Sequence, residues 1–202
     1  MGTERVGAES AGGVRVERLV VAVTRDTVDT ADPGDPGDRG ERNVWIIGDD
    51  EECLVVDVGR DADAVLEAVG ERRLTAVLFT HAHPDRTSAV AELLEAHPRT
   101  RIGLHHDDLP LWGGTHPDVP PSLVLVDGDI VTTGDIELTV LHTPGRTAGS
   151  CCFHAPDLGM LFSGETEVGA APLLLDLDPE TVVLPSHGPA TTVGAERARQ
   201  VR

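Results

Sequence analysis

The chain has 202 residues, enough for one domain with a substantial core, and its 35 acidic and 16 basic residues give a formal net charge of −19. This acidity argues against binding to nucleic acid or to an anionic membrane surface, because both would repel it. Three cysteines, two of them adjacent, do not form a disulfide framework. We find no signal peptide and no apolar run long enough to span a bilayer, so we expect a soluble cytoplasmic protein.

The first half of the chain predicts strands interrupted by two helices. Residues 1–13 are small, polar and unpatterned, and we expect a disordered tail there, before a single domain over residues 14–202. A stretch dense in Pro, Gly and Asp over 31–41 is typical of a surface loop. Apolar residues at helical spacing predict helices over 61–69 and 87–97. Strands are predicted over 14–25, 43–47, 52–56, 74–79 and 101–104.

The second half is rich in turns and predicts mostly short strands. A turn or short helix is expected from residue 107 to 112, and a short helix over 194–202. Strands are predicted over 123–126, 130–132, 136–142, 150–154, 160–162 and 181–185. Strands with helices inserted, in both halves, favour an α/β arrangement of two packed sheets with helices outside over a single parallel sheet.

The most informative stretch, Thr80 to Arg86 (THAHPDR), directly follows the predicted strand over 74–79. His81 and His83 lie two residues apart on an extended chain and project to the same side, and Asp85 follows. Two imidazoles beside a carboxylate suit a borderline metal such as zinc or iron. The motif alone leaves a second interpretation open, in which these are loop histidines without a special role.

Three further turns after predicted strands carry polar side chains, over 142–149 (HTPGRTAG), 162–166 (FSGET) and 184–189 (LPSHGP). Loops at strand ends can converge on one pocket. In their order along the chain and in their residues, the four motifs resemble those of the metallo-β-lactamase superfamily. The branch of the superfamily that this sequence resembles most comprises proteins similar to hydroxyacylglutathione hydrolase (glyoxalase II). The resemblance implies an αββα sandwich with a metal pocket at one edge of the paired sheets.

The resemblance also implies a set of metal ligands. In active members two metals are held by histidines and aspartates of these motifs, and a metal-bound hydroxide attacks a carbonyl group. Carried onto this sequence, His81 and His83 would bind the first metal, and Asp85 and His187 the second. Glu165 stands at the position of the bridging aspartate, with one additional methylene.

Two positions depart from the family pattern. Arg86 stands where the second metal expects a histidine, and Arg146 stands where the first metal expects one. A guanidinium stays protonated near neutral pH, so it has no lone pair to offer. Each metal therefore loses one protein ligand and gains a nearby cation. We expect one ion at most, or none, rather than two.

One functional hypothesis is a metal-dependent hydrolase of a small thioester or other ester. A single zinc ion would then be held by His81, His83 and Glu165, and Asp85 or His187 would be available for proton transfer or substrate orientation. Iron in the same set of ligands would suit an oxygenase, which is a minor variant of this hypothesis.

The other hypothesis is a catalytically inactive pseudoenzyme that serves as a binding or structural partner. In that case Arg86 and Arg146 replace the metals as counter-charges, and we expect them to form charge-assisted hydrogen bonds with Asp85 and Glu165. The sequence specifies neither a substrate nor an oligomeric state. The short segment after Thr166 predicts an open pocket and an exposed apolar surface that includes three consecutive leucines, Leu173, Leu174 and Leu175.

The remaining reactive side chains are interpreted as structural. Cys151 and Cys152 flank an apolar run, and we expect them to be packed in a strand rather than to be catalytic. His105 and His106, beside two aspartates, look like a ligand cluster but follow a different strand from the four motifs. They and His142 are interpreted as structural histidines at strand ends.

Overall fold

The computed structural model describes residues 3–7, 10–22 and 41–200, without the side chains of Ala22, Asp85 and Gln200. Its first sheet contains seven strands that lie side by side in chain order, with antiparallel pairing at the beginning of the chain and parallel pairing from the fourth strand onward. These strands are β1 (Glu4–Val6), β2 (Arg15–Ala22), β3 (Glu41–Gly48), β4 (Glu52–Val56), β5 (Arg73–Leu78), β6 (Arg101–His105) and β7 (Leu123–Leu125). Most of the loop predicted over 31–41 lies outside the described residues.

The second sheet is built from the second half of the chain. Its six strands are β8 (Ile130–Thr133), β9 (Ile136–His142), β10 (Cys151–Ala155), β11 (Met160–Gly164), β12 (Val182–Pro185) and β13 (Thr191–Thr192). They lie in the order β13-β12-β11-β10-β9-β8, and only the β11–β12 pair is parallel. Functional motifs that lie far apart in the sequence therefore follow strands of two different sheets.

The α-helices lie between or after the strands. They are α1 (Ala62–Val69), α2 (Pro84–Thr87), α3 (Val90–Ala96), α4 (Leu109–Thr115) and α5 (Val193–Gln200). Helix α1 begins as predicted, since the Asp61 carboxylate accepts a hydrogen bond from the Ala64 N–H at 2.9 Å. The helix predicted over 87–97 is present as the shorter α3, and a separate short helix, α2, precedes it. Pro84 occupies the first turn of α2, a position that suits its fixed φ, so helical structure begins earlier than predicted.

Alternation along β3 shows how the layers form. Val44 and Ile46 face the core under α1 and α3, whereas Trp45 and Ile47 face the core between the two sheets. A third apolar layer joins the outer face of the second sheet to α5 through Val193. Helices, two sheets and helices are thus stacked in four layers, which confirms the predicted αββα sandwich. Among the described residues, none of the helices has the length and apolar character needed to cross a membrane.

Two regions differ from expectation. Within the predicted tail, β1 pairs with β2, and Val6 packs against the core between the sheets. The segment with three consecutive leucines is also less exposed than predicted: Leu174 is fully buried beneath α5, Leu175 is partly buried, and Leu173 remains exposed. The apolar side chains here complete the third layer, because the short segment folds back onto its own sheet.

Candidate functional site

The loop after β5 is held in place by a buried carboxylate. Asp57 is 3% exposed, and it accepts hydrogen bonds from the backbone N–H of Thr80 at 2.9 Å and from the Thr80 hydroxyl at 2.8 Å. Burial raises the pKa of Asp57, although the nearby charges of Arg86 and His81 oppose this shift. The backbone carbonyl of Arg86 accepts bonds from Val58 and Gly59, so the chain after β4 supports both ends of the loop.

A second buried carboxylate joins this loop to the turn after β9. Asp108 is 1% exposed and accepts hydrogen bonds from the Ala82 N–H at 2.8 Å, the Gly149 N–H at 2.7 Å and the Thr147 hydroxyl at 2.7 Å. Three donors on one carboxylate form a strong bridge between the two segments. Asp108 thus positions two of the four sequence motifs relative to each other.

Glu165 enters the site from the end of β11, through a tight approach to Thr80. Gly164 has a φ of 57°, and a Cβ atom at this position would lie 2.5 Å from Oγ1 of Thr80. Only glycine tolerates both the left-handed backbone and this close contact. The glycine therefore allows the Glu165 side chain to lie directly beside the loop that carries the two predicted histidine ligands.

Arg86 reaches Glu165 from within the protein. Its side chain is 1% exposed, and its Nη2 donates hydrogen bonds to Oε1 of Glu165 at 2.5 Å and to the Ser186 hydroxyl at 3.0 Å. A buried guanidinium needs an anionic partner to offset its desolvation, and Glu165, itself 16% exposed, supplies one. The contact between Arg86 and Glu165 confirms that part of the prediction. The Asp85 side chain, for which a similar contact was predicted, lies outside the described residues.

Arg146 reaches the same carboxylate from the turn after β9. Its Nε donates to Oε2 of Glu165 at 3.2 Å, and its Nη2 donates to Nε2 of His83 at 3.1 Å. A guanidinium nitrogen can only donate, so His83 uses the lone pair of Nε2 to accept this bond. Both carboxylate oxygens of Glu165 are therefore engaged by arginines, in line with the predicted contact. Nε2 of His83, a predicted metal ligand, is engaged by Arg146 as well.

His81 lies close to these residues and is 1% exposed. We call His81, His83, Arg86, Arg146 and Glu165 the Glu165 cluster. Its Nδ1 lies 3.1 Å from the hydroxyl oxygen of Thr80, whose proton is already donated to Asp57. The ring therefore donates its Nδ1–H to Thr80, and Nε2 is the nitrogen that lies toward Glu165, 4.0 Å from Oε2. The rings of His81 and His83 are 6.2 Å apart between centroids. The structure thus brings His81, His83 and Glu165 together.

The turn after β12 contributes Ser186 to the site. Ser186 is 1% exposed, its N–H donates to the Gly164 carbonyl at 2.9 Å, and its hydroxyl accepts from Arg86. His187 is exposed, and in the described part of the chain it makes no hydrogen bond or ion pair with the Glu165 cluster. A metal-ligand role for His187 stays a prediction.

These residues do not fit a two-metal centre of the family type. A metal bound to Glu165 or His83 would need the same oxygen and nitrogen atoms that accept the guanidinium hydrogen bonds. The positive charge of Arg86, which is fixed and buried, would also repel a dication. Arg146 is different, because its side chain is 29% exposed and can leave the cluster without entering the core.

A cavity of about 220 Å³ opens beside the cluster. Its wall includes Thr143, Arg146, Glu165 and Thr166, together with Cys151 at the start of β10. Burial raises the pKa of Cys151, and it raises the pKa of Cys152 to about 11. Both thiols therefore stay protonated near neutral pH, consistent with the structural role expected for them.

The positioning roles of three residues were not assigned from the sequence. Asp57 follows a buried strand in a segment that fits the family pattern, and its positive φ of 54° marks an unusual backbone. Asp108 was grouped with a set of structural residues, and its three partners lie up to 41 positions away. Ser186 stands beside the more conspicuous His187 and carries no motif of its own. No local sequence pattern indicates that Asp108 and Ser186 are positioning residues.

The fold and the converged strand-end motifs define a metallo-β-lactamase-type domain. The model of the Metallo-beta-lactamase superfamily matches residues 37–200, and the chain belongs to this family. Hydroxyacylglutathione hydrolase from Aeromonas salmonicida is 37% identical over 126 residues, which are 61% of this chain and 45% of that protein. The chain thus spans less than half of this relative. An uncharacterised protein of Mycobacterium leprae is 33% identical over 199 residues, with 77% of this chain and 90% of that protein covered.

Solved structures show the same fold. The BLEG-1 B3 metallo-beta-lactamase has a TM-score of 0.64 and 26% identity, with 78% of this chain and 91% of that chain covered. A second protein, solved in a di-iron-bound form, has a TM-score of 0.65 and 30% identity, with 78% of this chain and 92% of that chain covered. Among the similar proteins, then, are a hydrolase, a lactamase and an iron-bound protein.

Proposed function

We propose that this protein is a binding member of its family that lacks two-metal hydrolytic activity. One observation carries the proposal: Glu165 accepts hydrogen bonds from Arg86 on one oxygen and from Arg146 on the other. In the family pattern, this carboxylate position bridges two metals. Here two guanidinium groups supply the positive charge that balances it, and they need no metal to do so.

The ligand proposed for this protein is a small polar molecule bound in the cavity beside Arg146. The cavity volume of about 220 Å³ is below the range of roughly 300–1,000 Å³ typical of pockets for drug-sized ligands. Its wall includes Arg146 and two threonines, Thr143 and Thr166, whose hydroxyl oxygens lie 3.1 Å apart. These features support a ligand that is smaller than the glutathione thioesters for which the partial relatives are named.

Hydrolysis of a hydroxyacylglutathione thioester, measured with added zinc(II) or iron(II), tests the proposal. The wild-type protein should hydrolyse the thioester no faster than buffer containing the same metal. A matched variant with Arg86→His, Arg146→His and Glu165→Asp restores the family pattern at three positions and should gain metal-dependent turnover. Wild-type turnover that requires metal and is lost in His81→Ala would contradict the proposal.

A one-metal enzyme is the second candidate, and the exposure of Arg146 favours it. If this side chain turned to solvent, His81, His83 and Glu165 could hold a single zinc or iron ion. Such an ion would supply Lewis-acid chemistry in the zinc form or oxygen chemistry in the iron form. Thioester turnover, or oxygen consumption with iron(II), that rises in Arg146→Ala would select this candidate, because that substitution removes the competing cation.

A further inference from the structure

A second group of metal-binding side chains lies outside the Glu165 site. His105 is the last residue of β6, Asp107 follows it in a 3₁₀ turn, and His142 is the last residue of β9. These two strands belong to different sheets, and their ends meet here. We call His105, His106, Asp107 and His142 the Asp107 cluster.

The donor atoms of this cluster are close enough to share one ion. Nδ1 of His105 lies 3.8 Å from Oδ2 of Asp107, and Nε2 of His142 lies 3.7 Å from the same oxygen. All three ligand atoms lie within 4.8 Å of one another. Metal–ligand distances of about 2.1 Å place the donors of a tetrahedral site roughly 3.4 Å apart. Two of the observed separations therefore need to shorten by only a few tenths of an ångström.

The two imidazole rings must turn before they can share a metal. His105 and His142 are stacked, with centroids 4.0 Å apart and an angle of 14° between the ring planes, so their lone pairs run parallel. His105 is 1% exposed and fixed, whereas the side chain of His142 is 27% exposed and can rotate. Nε2 of His142 also lies 2.9 Å from the Ala148 carbonyl, to which it donates. Metal binding would replace this hydrogen bond and leave the ring proton of His142 on Nδ1. It would also replace the hydrogen bond of 3.4 Å that the Asp107 N–H donates to Nδ1 of His105.

His106 supplies either a fourth ligand or a support for the carboxylate. Its Nε2 lies 3.0 Å from Oδ1 of Asp107, the oxygen that the other two imidazoles do not face. Its side chain is 50% exposed, so it can move with the carboxylate. Such a hydrogen bond from a neighbouring group fixes the orientation of a ligating carboxylate.

The chemistry of the cluster selects the type of ion. Imidazole nitrogens with one carboxylate favour zinc and similar transition metals over magnesium or calcium, which prefer ligand sets made only of oxygen. The formal net charge of −19 also raises the local concentration of cations. We propose that His105, Asp107 and His142 form a binding site for one divalent transition-metal ion, zinc(II) in the first instance. The site uses no residue of the Glu165 cluster.

Calorimetric titration of the full chain with zinc(II), after removal of metals by a chelator, tests this inference. One ion per chain should bind to the wild-type protein. Affinity should fall at least about 100-fold in His142→Ala and in Asp107→Asn, because each removes a direct ligand. The matched variant His81→Ala, which alters the other site, should bind as the wild type does. Cobalt(II) should give a visible absorption spectrum that His142→Ala loses.

The possible results separate this inference from the proposed function. No zinc binding to the wild-type protein, or equal binding by wild type and His142→Ala, overturns the Asp107 site. Loss of the only ion in His81→Ala overturns both proposals, because the metal would then lie at the Glu165 site. Two ions, one lost in each variant, support the Asp107 site and contradict a metal-free Glu165 site. Circular dichroism of each metal-free variant controls for folding.

Discussion

Replacement of Arg86 by methionine should destabilise the protein strongly, because it leaves a partly buried carboxylate with less compensation. Arg86 is 1% exposed and donates to both Glu165 and Ser186. Removal of one partner of a buried ion pair typically costs about 3–5 kcal/mol. Arg146 still contacts Glu165 in the variant, so the lower end, about 3 kcal/mol, applies.

Urea denaturation followed by circular dichroism measures this effect. With a slope of about 2–3 kcal/mol per molar urea, a loss of about 3 kcal/mol lowers the midpoint by roughly 1–1.5 M. Arg73→Met is the matched control, since Arg73 pairs with Glu52 but its side chain is 75% exposed, and it should cost at most about 1 kcal/mol. Equal midpoints for the two variants would refute a role of Arg86 as a buried counter-charge. The double variant Arg86→Met/Glu165→Gln should lose less than the sum of its single variants, because the pair is removed together.

Three further predictions concern the surrounding structure. Asp108→Asn should lower the free energy of unfolding, measured in urea, by about 2–3 kcal/mol, because the Asp108 carboxylate accepts three hydrogen bonds. Asp107→Asn, at an exposed side chain, should change this free energy by less than about 1 kcal/mol in the absence of metal. Similar values for the two variants would contradict the role of Asp108 as a bridge between the two segments. Burial lowers the pKa of His154, so the unfolded state takes up a proton first as the pH falls below about 6.5, and the stability of the protein should decline there. His154→Gln should therefore flatten the dependence of the unfolding free energy on pH between about pH 7 and 5. An unchanged slope would contradict this role of His154. A thiol-reactive dye at mildly alkaline pH should label the native protein slowly and urea-unfolded protein completely at the three buried cysteines, Cys53, Cys151 and Cys152, and fast native labelling would contradict their burial.

The layers of the fold were predictable because they depend on local patterns. Apolar strands with inserted helices in each half, and four strand-end motifs in a set order, indicate the αββα sandwich that the structure confirms. Helix boundaries were less accurate. Pro84 suits the first turn of a helix and begins α2, so helical structure starts before the predicted residue 87.

The charge arrangement of the site was also predictable, because it follows from residue types at motif positions. Arginine in place of a histidine ligand cannot bind a metal, and a carboxylate nearby is its natural partner. The structure confirms this for Glu165 with both arginines. The ligand roles of Asp85 and His187 stay predictions.

The supporting contacts were not predictable, because they depend on which strand ends meet in three dimensions. Asp108 bridges segments 26 to 41 positions away, and Ser186 meets an arginine 100 positions earlier in the chain. The Asp107 cluster shows the same limit. His105 and His106 were interpreted as structural because they follow a different strand from the four motifs, and His142 was interpreted as a strand-end histidine. Only the packing of the two sheets brings His142 beside Asp107.

The metal content of the Glu165 site tests the central claim most directly. The measurement is elemental analysis of the His142→Ala variant, in which the proposed second site is disabled, after incubation with zinc(II) or iron(II) and desalting. If Arg86 and Arg146 replace the metals, this folded variant retains no metal, whereas the addition of Arg86→His and Arg146→His gives a protein that does. One or two ions per chain in His142→Ala itself, lost on further substitution of His81, would contradict the account.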